Sequence, residues 1–99
     1  MSKVGGIGPE KPATPEVQKI CDEVKQQVEQ KTLRTFEVFV AKSFATQVVS
    51  GTNYFIKMHV GGEEYVHLRV FQCLPHAGHK LELHSVQTGK ALNEPIVYF

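Results

Sequence analysis

The spacing of apolar residues changes once along this chain, and that change restricts the fold. The first group recurs at the roughly 3.6-residue period of a helix: Val17, Ile20, Cys21, Val24 and Val28. From Thr35 onward, apolar side chains instead alternate at every second residue, which is typical of strands. One amphipathic helix followed by several strands predicts an α+β fold, in which the helix packs across an antiparallel sheet of four or five strands.

Three consecutive residues mark the start of the helix. Thr14 is a favourable N-cap, Pro15 suits the first helical position, and Glu16 faces the positive end of the helix dipole. The helical spacing ends near Lys31. We therefore predict a helix from Pro15 to about Lys31, whose apolar stripe belongs to the core and has no direct function.

The first predicted strand contains an irregularity. It starts near Thr35, and three apolar residues share one of its faces: Phe36, Val38 and Val40. Lys42 falls on that same face, where a charged side chain would be buried. A β-bulge near Ala41 would remove this conflict and return Phe44 to a buried side.

The next two predicted strands form a hairpin with two apolar rows. One row is Tyr54, Ile56, Met58 and Val60, and the other is Val66, Leu68 and Val70. Because directly opposed residues share a face, the loop must have an odd number of residues, and Gly62-Glu63-Glu64 would supply it. The same register opposes three pairs on the outer face: Phe55 with Phe71, His59 with His67, and Lys57 with Arg69. The like-charged pair requires an acidic neighbour.

The length of the chain indicates one small domain, residues 1–99, with a single modest core. Residues 1–13 are rich in glycine and proline and hold only two bulky aliphatic side chains, Val4 and Ile7. Such a segment cannot fold by itself, so we expect a flexible N-terminal arm. At the other end, residues 89–95 indicate a turn-rich connection and residues 96–99 a last short strand.

Charge and hydropathy exclude several partners. The 11 basic and 10 acidic residues are scattered, so no basic stripe is available to neutralise phosphates, and nucleic acid is not an expected partner. No apolar run approaches the roughly 20 residues that a membrane span needs. The first residues lack the apolar region of a secretory signal, which predicts a cytoplasmic protein. In that setting, Cys21 and Cys73 are expected to be free thiols.

The sequence predicts neither a metal site nor catalytic chemistry. His59 and His67 could oppose each other, with His84 as a third ligand, but cross-strand histidines are far more often ordinary surface residues. Cys73 and His76 could act as nucleophile and base, yet a short loop supplies no orienting third group. We predict no metal, no cofactor and no enzymatic activity.

Two predicted turns carry apolar residues where polar residues are usual. The first is the tip Gln47-Val48-Val49-Ser50-Gly51, and the second contains Leu74-Pro75-His76. An apolar side chain at an exposed tip has no core to enter, which indicates a binding partner. In a meander, these two turns lie at the same end of the sheet, and a helix across the sheet would bring the arm around Val4-Gly5-Gly6 to that end. The alternative for the arm is a frayed terminus.

Several ordered segments resemble the stefins, the cystatins without disulfides that act inside cells. The tip matches the Gln-x-Val-x-Gly loop, and further matches cover essentially the whole chain: Lys11 to Glu16, Gly51 to Lys57, His67 to Phe71, and Leu74-Pro75. The resemblance implies reversible, competitive inhibition of papain-like cysteine peptidases such as lysosomal cathepsins. It also implies that the arm glycine, Gly5 or Gly6, and both tips enter the peptidase cleft.

Two questions stay open at this point. The chain is expected to be a monomer, although a domain-swapped dimer is an alternative. A protein with this fold could also have lost inhibition and serve as an interaction module, with the strand from Thr35 to Ala41 as an edge for β-augmentation. The retained arm glycines and both apolar tips favour inhibition.

Overall fold

The computed structural model describes residues 7–48, 51–73, 81–97 and 99. Within these residues lie one helix and five strands, in the order β1 (Lys11–Pro12), α1 (Pro15–Thr32), β2 (Val40–Val48), β3 (Gly51–His59), β4 (Tyr65–Cys73) and β5 (Leu81–Lys90). The strands form a single antiparallel sheet in sequence order. The predicted α+β architecture, one helix packed on an antiparallel sheet, is confirmed.

The helix begins as its sequence predicts. Thr14 has an extended backbone, and its side-chain oxygen accepts a hydrogen bond of 3.2 Å from the Val17 backbone N–H. The five apolar residues of the stripe are all buried against the sheet. Leu33 ends the helix in the left-handed conformation, with φ of 59°. The helix therefore depends on a local N-terminal cap and on burial of one face.

The bulge in β2 is confirmed, but the predicted start of this strand is wrong. The pairing of β2 with β3 shifts between Ala41 and Ser43, so Lys42 is the extra residue. Residues 35–39 precede the strand instead of belonging to it. The end of this segment is bonded to the helix: the Gln18 side-chain NH₂ donates to the Phe39 carbonyl (3.0 Å), and the Gln18 side-chain oxygen accepts from the Ala41 N–H (2.7 Å).

The predicted edge strand from Thr35 to Ala41 is therefore wrong for residues 35–39, and only Val40 and Ala41 belong to a strand. In the predicted alternation, Val38 and Val40 would be buried, yet both are exposed. Phe36 is buried as predicted, together with Phe39, and the two rings stack with centroids 5.7 Å apart.

The loop of the β3–β4 hairpin has an odd number of residues, as predicted, but the predicted register is wrong. Apolar rows do face each other, but Ile56 lies opposite Leu68, and the whole pairing is displaced by two residues from the prediction. The loop is Gly61-Gly62-Glu63, closed by a hydrogen bond of 3.1 Å from the Val60 N–H to the Glu64 carbonyl. Gly61 and Gly62 have φ of 115° and 54°, which glycine adopts readily, so the turn forms where both glycines are.

The displaced register changes every predicted pair on the face of the sheet away from the helix. Phe55 lies opposite Arg69, Lys57 opposite His67, and His59 opposite Tyr65. The two histidines that were predicted to oppose each other, His59 and His67, therefore do not. Among the described residues, no three His, Cys, Asp or Glu side chains are grouped closely enough to hold a metal ion.

This second face was predicted to be a surface, and the structure shows that it is largely covered. Phe55 and His67 are fully buried, and Lys57 is 4% exposed. Two pieces of chain lie over them: the arm base, defined as residues 7–13, and the C-terminal segment, defined as residues 91–97 and 99. Ile96 belongs to a small cluster of buried residues on this face together with Ala45 and Phe55.

The chain termini also differ from the prediction. Residues 96, 97 and 99 do not form a strand, and β5 continues to Lys90 through Gly89, which has φ of 69°. The sheet gains a strand instead from the arm base: this strand is β1, and its Lys11 lies opposite Phe44 of β2. Hydrogen bonds from the Gly8 and Ala13 N–H groups to β2 carbonyls, at 2.9 and 3.1 Å, extend this attachment on both sides.

Cys21 is a free thiol that is fully buried in the main core. Burial raises the pKa of this thiol to about 12, and Asp22 adds a smaller effect in the same direction. The side chain of Cys73 lies outside the described part of the molecule. In the described ranges, no helix has the length and apolar character needed to cross a membrane.

Candidate functional site

The β2–β3 hairpin presents an apolar side chain at its tip. Val48 is the last residue of β2, it lies opposite Thr52, and it is 80% exposed. The next two predicted site residues, Val49 and Ser50, lie outside the described residues. A bulky aliphatic side chain with this exposure gains nothing from the fold of the free protein, which makes the tip a candidate contact surface.

The base of the tip is held by a pair of amide side chains. Gln47 and Asn53 are directly opposed, and the Asn53 side-chain NH₂ donates to the Gln47 side-chain oxygen at 2.9 Å. Asn53 is only 4% exposed. This cross-strand bond restricts the two strands just below the tip. Gln47 was predicted as a site residue for its motif, whereas the supporting role of Asn53 was not predicted.

Gly51, just below the tip, lies close against β4. A Cβ atom built on Gly51 would lie 2.4 Å from the Gln72 carbonyl oxygen and 2.9 Å from the Phe71 ring. Neither the backbone oxygen nor the packed ring can move away easily, so only glycine fits here. The glycine of the tip motif is thus required by the neighbouring strand.

The second predicted tip follows β4 directly. The ladder places Cys73, the last residue of β4, opposite Gly51, and places Gln72 opposite Leu81 at the start of β5. Leu74, Pro75 and His76 come next in sequence and lie outside the described residues. The strand ends that flank both tips are therefore adjacent in the sheet.

The arm base runs toward the same end of the sheet. It is antiparallel to β2, with Lys11 opposite Phe44 and the Gly8 N–H bonded to the Thr46 carbonyl, so each step toward the N-terminus approaches Val48. Val4, Gly5 and Gly6, which precede Ile7, lie outside the described residues. Ile7, the described residue nearest to the N-terminus, therefore lies at the same end of the sheet as the strand ends around both tips.

Comparison with known proteins agrees with this arrangement. The family model of the cystatin domain matches residues 5–93. Cystatin-B of Oplegnathus fasciatus is 52% identical over 95 residues, covering 96% of this chain and 95% of that protein. Cystatin-B of Pan troglodytes is 57% identical over 88 residues, covering 89% of this chain and 90% of that protein.

A third relative, which is named as a proteinase inhibitor, has a similar identity to this chain. Leukocyte cysteine proteinase inhibitor 1 of Sus scrofa is 50% identical over 95 residues, which cover 96% of this chain and 92% of that protein. Family model and relatives alike span nearly all of the helix and sheet described above. The chain belongs to the cystatin family.

Proposed function

We propose that this chain is a reversible, tight-binding competitive inhibitor of papain-like cysteine peptidases and not itself an enzyme. The observation that carries this proposal is Val48, an aliphatic side chain that is 80% exposed at the tip of a well-braced hairpin. A relative that is 50% identical is named a cysteine proteinase inhibitor. An exposed apolar tip on a rigid support is suited to insertion into an apolar cleft.

The hydrogen bonds that hold the two strands just below the tip favour tight binding. The ladder is continuous up to Val48 on β2 and from Gly51 on β3, and the Gln47–Asn53 bond lies immediately below. Strand ends that are already paired lose little conformational entropy when the tip docks, so more of the contact energy contributes to affinity. Inhibition then results from occupation of the cleft, and the inhibitor undergoes no chemical change.

The remaining contacts follow from the shared end of the sheet. In our proposal, Val48, Val49, Ser50 and Gly51 cover the primed side of the cleft together with Leu74, Pro75 and His76. Val4, Gly5 and Gly6 enter the non-primed side as an extended arm, where glycine lets the backbone approach the peptidase closely. The catalytic cysteine of the peptidase lies between the two groups and is thereby shielded from substrate.

The proposal extends to partner and setting. Lysosomal cathepsins are the proposed class of target, the inhibitor acts as a monomer in the cytoplasm, and a domain-swapped dimer is the alternative assembly. Measurement of inhibition with a small panel of papain-like peptidases, combined with the oligomeric state in solution, addresses each of these points. A panel in which no papain-like peptidase is inhibited would contradict the function itself.

A substitution at the tip tests the mode of binding. Val48→Asp and Val49→Asp should each weaken inhibition by at least about tenfold, because a carboxylate must lose its water in the cleft. Val48 makes little contact in the free protein, so the melting temperature of Val48→Asp should stay close to that of wild type.

Val40→Asp is the matched control for this test. Val40 is 44% exposed and begins β2 at the opposite end of the sheet, away from the tip. Inhibition by this variant should equal that of wild type once any change in stability is allowed for. If both tip variants inhibit as strongly as wild type, the tip does not enter the cleft.

A further inference from the structure

We propose that Glu10 is a positioning residue for the N-terminal arm. It ties the arm base to the sheet and to the C-terminal segment, so that Ile7, from which the arm continues toward its N-terminus, is held at a fixed place beside the hairpin tip. This inference rests on the proposed inhibition, in which the arm enters the peptidase cleft. Glu10 itself need not touch the peptidase, and it was not among the residues predicted from the sequence.

Lys57 is a buried lysine in the middle of the sheet. Lys57 is 4% exposed, and its Nζ donates to the Leu92 carbonyl at 2.6 Å and lies 3.2 Å from the Glu10 carboxylate. A buried ammonium group is stable only when an anion and hydrogen-bond acceptors surround it. The lysine thus requires a carboxylate at this point, and the arm base supplies it.

Glu10 connects three parts of the fold. Its carboxylate accepts a hydrogen bond from the Ser43 hydroxyl of β2 and faces Lys57 of β3. The Ile96 backbone N–H of the C-terminal segment also favours the ionised carboxylate. The Ser43 hydrogen bond and the nearby lysine keep the pKa of Glu10 below its usual value, although partial burial opposes them.

Another carboxylate near this face, that of Glu94, has partners of its own. Glu94 lies 3.1 Å from the Lys90 Nζ and accepts a hydrogen bond of 3.3 Å from the Ala91 N–H. These bonds hold the turn that starts the C-terminal segment. Glu10 is therefore the carboxylate, among the described residues, that the structure pairs with Lys57.

An apolar contact adds a second point of attachment just before Glu10. Ile7 packs against the cluster of Ala45, Phe55 and Ile96, beside Phe99. Between Ile7 and Glu10, the Gly8 N–H bonds to Thr46. Ile7 and Glu10 thus add side-chain attachments to the backbone hydrogen bonds of Gly8 and β1, and together these contacts determine the position and the direction of the arm base.

This arrangement has a kinetic consequence for the proposed inhibitor. While the arm base is attached, residues 1–6 stay close to the cleft that the tips occupy, which gives the arm a high effective concentration there. Glu10→Gln removes the charge that pairs with Lys57 and lowers that concentration. Dissociation should then become about threefold to tenfold faster, with little change in association, because the braced tip still forms the encounter.

A double-mutant cycle in the full-length chain separates positioning from general stability. The cycle combines Glu10→Gln with Val4→Asp, which disables the arm at its proposed contact. Glu10→Gln should speed dissociation from a papain-like peptidase in the wild-type background and have no further effect in the Val4→Asp background. The control is Glu64→Gln, which removes the carboxylate of an exposed ion pair with Arg34, and it should leave dissociation unchanged.

Hydrogen exchange of the Gly8 amide in the free protein gives a readout that needs no peptidase. Exchange should become at least about threefold faster in Glu10→Gln and stay unchanged in Glu64→Gln. Lys57→Met, which replaces the buried charge by an apolar chain of similar length, should release Gly8 in the same way without unfolding the sheet.

The two readouts distinguish the possible failures. A full-length protein that does not inhibit would refute the proposed function, while the exchange rate of Gly8 would still decide whether Glu10 holds the arm base. Equal acceleration of dissociation by Glu10→Gln in both backgrounds would show that Glu10 acts through general stability and not through the arm. Unchanged Gly8 exchange in both Glu10→Gln and Lys57→Met would overturn the attachment itself.

Discussion

Lowering the pH from 7 to 5 should destabilise this protein by about 2 kcal/mol through His67 alone. His67 is fully buried between β3 and β5, opposite Lys57 and Gln87. Neither ring nitrogen has a hydrogen-bond partner among the described residues. Burial, followed by the nearby ammonium groups of Lys90 and Lys57, lowers the pKa of His67 to about 4, and Glu94 and Glu10 oppose this shift only in part.

The sign and the size of this loss of stability follow from proton linkage. The unfolded chain holds this histidine at a pKa of about 6.5, so it binds the proton more strongly than the folded protein does. Stability is fully present above about pH 6.5 and is lost as the pH falls toward the folded pKa of about 4. The difference of about 2.5 pKa units corresponds to about 3 kcal/mol in total, of which about 2 kcal/mol is lost by pH 5.

Urea denaturation of wild type and His67→Leu at pH 7 and pH 5 measures this contribution. Leucine is close to histidine in volume and cannot be protonated, so the variant should lose about 2 kcal/mol less than wild type between these pH values. His84→Gln, at a more exposed position on β5, is the control for removal of a histidine, and it should keep the wild-type difference. Equal losses in wild type and His67→Leu would refute the reasoning.

Two further predictions concern Gly51 and Cys21. Gly51→Ala should lower the free energy of unfolding by about 1–3 kcal/mol in urea denaturation and weaken inhibition, because its Cβ would lie 2.4 Å from the Gln72 carbonyl oxygen; a variant as stable as wild type would contradict this close packing. In a Cys73→Ser background, Cys21 should react with a thiol reagent at pH 8 only after unfolding, since burial raises its pKa to about 12. Inhibition by the wild-type protein should survive dithiothreitol and EDTA, because neither a disulfide nor a metal is proposed to take part. Rapid labelling of the native protein, or loss of inhibition in either reagent, would contradict that prediction.

The features that could be predicted from the sequence depend on neighbours in the chain. The N-cap of Thr14, the helical stripe and the bulge at Lys42 each result from residues within one or two turns or along one strand. Alternation likewise predicted the parity of the β3–β4 hairpin. Its register was wrong because parity allows every second pairing, and the choice among them is made by Gly61 and Gly62, whose positive φ values suit the turn.

The outer face could not be predicted because its cover comes from both ends of the chain. Lys57 and His67 alternate with apolar residues, a pattern that ordinarily indicates a solvated face. Their burial depends on the arm base and the C-terminal segment, neither of which has a regular apolar period. The composition of the arm base indicated only flexibility, and the C-terminal segment was predicted as a turn-rich connection followed by a short strand.

The candidate site likewise contains residues that could be predicted from their neighbours in the chain and residues that could not. Val48 and Gly51 could be predicted because an apolar, glycine-containing tip between two strands is visible in a few consecutive residues. The residues that hold the site in place could not, because Asn53 acts through Gln47 across the hairpin and Glu10 acts through Lys57 of a different strand. A buried lysine is costly to a small protein unless an anion accompanies it, and here that anion belongs to the arm. The charge pair that stabilises the covered face would therefore also set the position of the arm that we propose enters the peptidase cleft.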